Sequence, residues 1–178
     1  FRRLGRVNTR TGAVTEVLDR LNPDFDPFDP VKPTHLLGVA FDGDGTLYTI
    51  INRLNRTGQD NTAQLAKIGV DTGDRIQVGE PNPFNLAARE IDACGHLYAT
   101  GCGDAGVWGG DNHLYKLAKD TGQATPIGYT GLNRIMDLAF DAAVTLYATV
   151  GNVLYTLDTD TGQAFEEIEL DGVPIQRV

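Results

Sequence analysis

An all-β fold is what the sequence predicts, on three observations. A turn followed by Leu-Tyr recurs at "FDGDGTLYTI" (41–50), "IDACGHLYAT" (91–100) and "FDAAVTLYAT" (140–149); the Leu-Tyr pairs begin at 47, 97 and 146, at steps of 50 and 49. A Thr-Gly turn recurs at "NTRTGAVTEV" (8–17), "GVDTGDRIQV" (69–78), "AKDTGQATPI" (118–127) and "DTDTGQAFEE" (158–167), its glycines at 12, 73, 122 and 162, at steps of 61, 49 and 40. Between these signals lie short runs rich in β-branched and aromatic residues, bounded by Gly, Asn or Asp, and no long amphipathic helix stands out.

Fixed signals at variable steps mark one structural unit carrying loop insertions. The third unit reads as four strands, "IMDLAFD", "TLYATV", "NVLYTLD" and "QAFEEIEL". The stretch "NTAQLAKIG" has a helical composition, but its place in the repeat assigns it to a strand. In the Thr-Gly turn, Asp or Asn accepts hydrogen bonds from backbone N–H groups two residues on, and Gly supplies the positive φ that closes a hairpin. A four-stranded antiparallel unit repeating every ~40–50 residues is the signature of a β-propeller blade. A β-sandwich is the alternative, but it does not repeat its turn chemistry in register.

With strands named a to d from the axis outward, residues 36–80, 84–129 and 132–170 are complete blades, 1–18 carry only c and d, and 172–178 begin another strand a. That makes one domain over 1–178 with about 3.5 blades. We expect it to be part of a larger propeller, or to be completed by self-association or a partner chain, because stacked repeats need neighbours and an unpaired edge invites association.

The "LY…LYxLDxDTG" grammar, spread over most of the chain, resembles bacterial β-propeller repeats of the PQQ-like and NHL-like kind. The resemblance implies the fold and leaves the activity open. In quinoprotein dehydrogenases each repeat ends with a Trp shortly after the Thr-Gly turn; this chain has only Trp108, in a different place, so the resemblance does not extend to a quinone cofactor.

Composition narrows the function classes. The 178 residues carry a formal charge of -9, which argues against nucleic acid and anionic membrane surfaces, since phosphate binding needs a basic patch. No apolar run approaches the ~20 residues of a membrane helix. Cys94 and Cys102 are too few for a disulfide framework and read as idle thiols. The chain has no Ser, hence no serine nucleophile, and His35, His96 and His113 are not spaced as zinc ligands.

The long connections, 19–35 and 79–83 (d–a) and 52–62 and 101–112 (b–c), all fall on one rim, the edge where a rigid scaffold carries its functional loops. In "GCGDAGVWGGDN" the candidates are Asp104, Trp108, Asp111 and Asn112, with the lone Trp placed to stack on a sugar or anchor a partner. The 52–62 connection adds Arg53, Asp60 and Asn55, the last in an "NRT" glycosylation sequon. Arg89 and Glu90 form a charged pair in an inner strand where the other blades have Val39-Ala40 and Leu138-Ala139, so they are read as a central-channel ligand site or a structural ion pair. Asp24, Asp26 and Asp29 alternate in "NPDFDPFDP" and are the candidate Ca²⁺ ligands. "DGDGT" (42–46) resembles the start of an EF-hand loop, but Arg53 stands in place of the closing Glu, and a plain turn is expected. The leading expectation is a non-catalytic binding propeller that needs no cofactor, extracellular or periplasmic, recognising a protein or glycan through the long-loop rim. The alternative is a Ca²⁺-dependent propeller hydrolase of lactonase or phytase type, with a carboxylate-bound metal at the channel mouth.

Overall fold

A computed structural model of the chain describes residues 4–18, 34–53, 61–101 and 111–169, and these residues form strands and turns with no helix among them. A hairpin comes first, β1 (Leu4–Val7) with β2 (Val14–Leu18). Three four-stranded antiparallel meanders follow. Blade I is β3 (Thr34–Phe41), β4 (Leu47–Arg53), β5 (Thr62–Ile68) and β6 (Arg75–Asn82). Blade II is β7 (Leu86–Ile91), β8 (Leu97–Gly101), β9 (Asp111–Leu117) and β10 (Ala124–Asn133). Blade III is β11 (Asp137–Phe140), β12 (Leu146–Val150), β13 (Val153–Leu157) and β14 (Ala164–Glu169). The first strands of the blades meet one another, β3 on β7 and β7 on β11, which puts strand a innermost.

The core lies between blades rather than inside any one of them. Alternate residues of a strand face opposite sides of its sheet, so blade II contributes to two separate clusters. Leu97, Ala99, Tyr115 and Leu117 pack against Ala40, Tyr48, Ile50 and Leu65 of blade I. Tyr98 and Leu114 pack against Leu138, Leu146, Ala148 and Leu157 of blade III. Each fully buried Leu or Ile contributes about 1.5–3 kcal/mol.

Two asparagines tie blades I and II through backbone groups. Asn52, with no exposed surface, donates from Nδ2 to Leu86 O (2.5 Å) and accepts from Leu86 N–H (3.2 Å). Asn82 donates to Gly122 O (2.9 Å) and accepts from Ala124 N–H (2.9 Å). Its pairing with Ala63 across β5–β6 extends strand d to residue 82. The expected 79–83 connection is corrected accordingly: 79–82 are strand, and only 83–85 join the blades.

The expected cap forms at two of the four Thr-Gly turns: Asn8 accepts from the N–H groups of Arg10, two residues on, and Thr11, and Asp158 from those of Asp160 and Thr161. Blades I and II have Gly69 and Ala118 at that position. What all four turns share is the Thr hydroxyl, which accepts the N–H two residues on, at Thr11, Thr72, Thr121 and Thr161. The glycines do more than supply φ. A Cβ on Gly122 would collide with Val78 O of blade I, and one on Gly79 with Thr121 O of blade II. The next junction repeats the arrangement, Gly128 against Thr161 O and Gly162 against Gly128 O. Gly12, in the first hairpin, has a φ of 71° against 70° at Gly122, with nothing within 4 Å.

Gly122→Ala and Gly12→Ala therefore share the conformational cost of about 1 kcal/mol, and Gly122→Ala adds about 1–3 kcal/mol of overpacking. Chemical denaturation of both variants checks the difference; equal losses would mean that the backbone contact contributes nothing.

Candidate functional site

The two rims are built differently. On the rim of the a–b and c–d turns, each turn is fastened by its own side chains. Asp92 accepts from Cys94 N–H (2.9 Å) and His96 N–H (2.8 Å), with His96 Nδ1 at 2.8 Å from its second oxygen. Asp141 accepts from Ala143 and Thr145. Asp42 caps Gly43 and is bridged by Lys119 of blade II, whose ammonium is held protonated above its ordinary value, chiefly by that hydrogen bond. "DGDGT" is thus a plain turn, closed by Asp44 accepting from Thr46 N–H (2.8 Å). Cys94 is free and exposed in the turn after β7. At the opposite rim stand the start of β3, the end of β4, the start of β5, the end of β8 and the start of β9, with the short connections 83–85, 134–136 and 151–152.

Asp24, Asp26, Asp29, Asn55, Asp60, Asp104 and Trp108 lie outside the described residues. Arg53 ends β4 and is exposed. Asp111 opens β9 opposite Asn133. Asn112 is buried: its Nδ2 donates to Leu132 O (3.4 Å), and its carbonyl accepts from Thr130 Oγ1 (2.8 Å). Asn112 therefore fastens β10 to β9.

Among the described residues, the buried side-chain polar atoms without a hydrogen-bond partner all belong to blade II: both amide atoms of Asn85, Arg89 Nε, Thr100 Oγ1 and His113 Nδ1. A buried orphan of this kind costs about 1–3 kcal/mol, and native proteins keep few of them. Asn85 precedes β7, Thr100 sits at the end of β8 and His113 near the start of β9, so three of the four residues stand at the roots of the long-connection rim. Sequence reasoning missed Asn85 and Thr100 because nothing in their local pattern reveals an unpaired group.

Arg89 and Glu90 leave β7 on opposite faces. Arg89 turns into the junction with blade I, 4% exposed, where Leu138 stands at the matching place in blade III. Its Nη1 donates to Ala87 O (2.8 Å), and its Nη2 occupies the space beside Gly38, 2.9 Å from where a Cβ would be. Burial pulls its pKa down to about 10, against an opposing pull from Asp137. Glu90 is half-buried; burial pushes its carboxyl above the ordinary value, the Ile91 N–H works against this, and the charge of Asp137 on β11 adds to it. Neither residue neutralises the other: both are desolvated, on two sides of one inner strand. Among the described residues no group of three His, Cys, Asp or Glu stands close enough to hold a metal ion.

The architecture is that of a β-propeller. The chain is similar to virginiamycin B lyase from Staphylococcus aureus, with a TM-score of 0.52 and 16% identity over 96% of this chain and 50% of that one. It is also similar to a chain of the nidogen/laminin complex, with a TM-score of 0.52 and 14% identity over 93% of this chain and 71% of that one. The chain thus spans half the length of the lyase chain it matches. At these identities the likeness shows the fold alone. No protein-family model matches the sequence, and no curated protein is significantly similar to it.

Two outcomes test the inner strand. Arg89→Leu, the side chain found at the matching place in blade III, is expected to stabilise by about 1–3 kcal/mol in denaturant titration; a loss of stability would mean that the bond to Ala87 O and the attraction of Asp137 outweigh the burial of the charge. For Glu90, the native state holds its proton more tightly than the unfolded chain. Stability therefore falls as pH rises from the ordinary Glu value of 4.5 through the raised native value, and the penalty is complete above it. Glu90→Gln is expected to raise the melting temperature at pH 7 and leave it unchanged at pH 4; a pH-independent shift would contradict this.

Proposed function

We propose that the chain is the scaffold of a binding propeller that recognises a protein or glycan partner through the rim of its d–a and b–c connections. The observation that carries this reading is the asymmetry between rims. The a–b and c–d turns are uniform and locked, whereas the connections on the other rim range from the two residues 151–152 to the stretches 54–61 and 102–110. Variation confined to one edge of a rigid scaffold is the usual signature of a recognition surface. The orphan polar atoms of Asn85, Thr100 and His113 at the roots of that edge support the same reading, as groups held ready at the cost of stability. Of the two similar structures, one is a complex between proteins, which supports a protein partner, and the other is a lyase.

The test replaces 102–110 with Gly-Asn, the pair that joins β12 to β13 in blade III. Intact and shortened chains are compared on an array of defined glycans and peptides, with Asp44→Asn on the opposite rim as control. The expected result is at least one probe bound by the intact chain and the control and weakened tenfold or more by the shortening. Unchanged binding by the shortened chain, or no probe bound by the intact chain, overturns the reading.

A further inference from the structure

At each junction the following blade lays its Thr-Gly hairpin on the blade before, and the residues that flank the turn do the packing. Leu117 and Ala124, a cross-strand pair at the root of the turn in blade II, pack in the cluster shared with blade I. Leu157 and Ala164 hold the same place in blade III and pack in the cluster shared with blade II. In the first hairpin this pair is Val7 and Val14. Its turn is closed as the others are, with the Gly12 N–H donating to Asn8 O as Gly122 does to Ala118 O and Gly162 to Asp158 O. Yet Val7 is 56% and Val14 69% exposed, where Leu117 and Leu157 are 3% and 4%. Every residue from 5 to 15 is exposed. The first hairpin has the form of an interblade contact that the single chain does not make.

The complementary face belongs to blade III. In blade I, Tyr48, Leu65 and Val78 lie on the side turned to the following blade and are buried beneath blade II. Leu65 pairs with Ile50 and Val78 across the sheet, and Leu154 of blade III pairs with Thr149 and Ile168 in the same way. Tyr147 follows Leu146 as Tyr48 follows Leu47. Tyr147 and Leu154 are only half-buried, and Ile168 is 51% exposed where Val78 is 7%. Gly122 rests on the carbonyl of Val78; Ile168 stands in that place on blade III, and Gly12 has nothing within 4 Å. The charges match as well. Residues 137–169 hold seven Asp and Glu and no Lys, Arg or His, so this blade repels itself and attracts cations. The hairpin carries Arg6 and Arg10 against Glu16. Between blades I and II, Lys119 of the hairpin bridges Asp42. Arg10 stands one position from the place of Lys119, and Asp141 opens the a–b turn of blade III as Asp42 does that of blade I.

We propose that this face of blade III is the docking surface for the β1–β2 hairpin of a second copy of the chain. Val7 and Val14 of one copy pack on Tyr147, Leu154 and Ile168 of the other. Gly12 rests on the main chain at Ile168, and Arg10 faces the carboxylates of blade III. The contact is hairpin to face, so it is heterologous: a pair keeps one hairpin and one face free, and grows unless the ring closes. An unrelated basic protein meets the same charge but nothing requires it to carry the valine pair and the bare glycine at the spacing the face demands. The surface is a blade side, apart from the long-connection rim, and stands or falls independently of it.

Sedimentation equilibrium of the intact chain tests the proposal. The average mass is expected to rise from 19.2 kDa to that of two or more copies as the concentration approaches about 100 µM. The association is expected to weaken about tenfold when salt is raised from about 0.05 to 0.5 M. Ile168→Asp spoils the face, and Val14→Asp spoils the hairpin. Both side chains are exposed in the single chain, so both variants are expected to keep its circular dichroism spectrum and to stay at 19.2 kDa. Mixed in equal amounts, the two are expected to form a pair and stop there, the sound hairpin of the first seated on the sound face of the second. Association that survives either substitution, or a mixture that stays monomeric, overturns the proposal. So does a monomeric intact chain, and a melting temperature lowered equally by Val14→Asp and Ile168→Asp would then assign the face to the chain's own hairpin.

Discussion

Where one blade meets the next, the Thr-Gly turn of the following blade rests with its backbone directly on the outer strand of the blade before. Gly122 lies on Val78 and Gly79 on Thr121, and then Gly162 and Thr161 lie on Gly128. No side chain separates the two main chains. That closeness sets the distance between blades. The distance in turn lets Leu97 and Tyr115 interlock with Ile50 and Leu65 on one side of blade II, and Tyr98 and Leu114 with Leu138 and Leu146 on the other. Asn52 and Asn82 reach across to backbone groups only because those groups are within one side chain's length. Packing at interior density has no tolerance for an added methyl at such a contact, so glycine recurs where two blades touch.

Blade II carries the departures from this economy. A guanidinium stands where blade III buries Leu138, a half-buried carboxyl follows it, and three further residues hold polar atoms that nothing in the described structure satisfies. Local rules are most often broken where a protein does its work. These groups cluster in the blade whose b–c connection, 102–110, also holds the lone Trp108. The neighbouring blades, with apolar residues at the matching inner positions, act as the frame.

Of this, the sequence by itself determined the strand order and the blade boundaries' chemistry. Four Thr-Gly turns and three Leu-Tyr turns, recurring in step, require one hairpin-built unit repeated, because turn residues act on their nearest neighbours and can be read locally. The uneven lengths of the connections, and the rim they share, follow from the same count. The charged pair at Arg89 and Glu90 was visible as an exception to its repeat.

Only the tertiary structure decided what those residues face. It sent Arg89 into the blade junction and Glu90 toward blade III, and made strand of 79–82 through Asn82. It set Asn112 to fastening β10. Each of these depends on contacts between residues about 20 to 50 apart in the chain, which a local pattern does not encode; the long-range term belongs to packing, and packing is settled only when the blades meet.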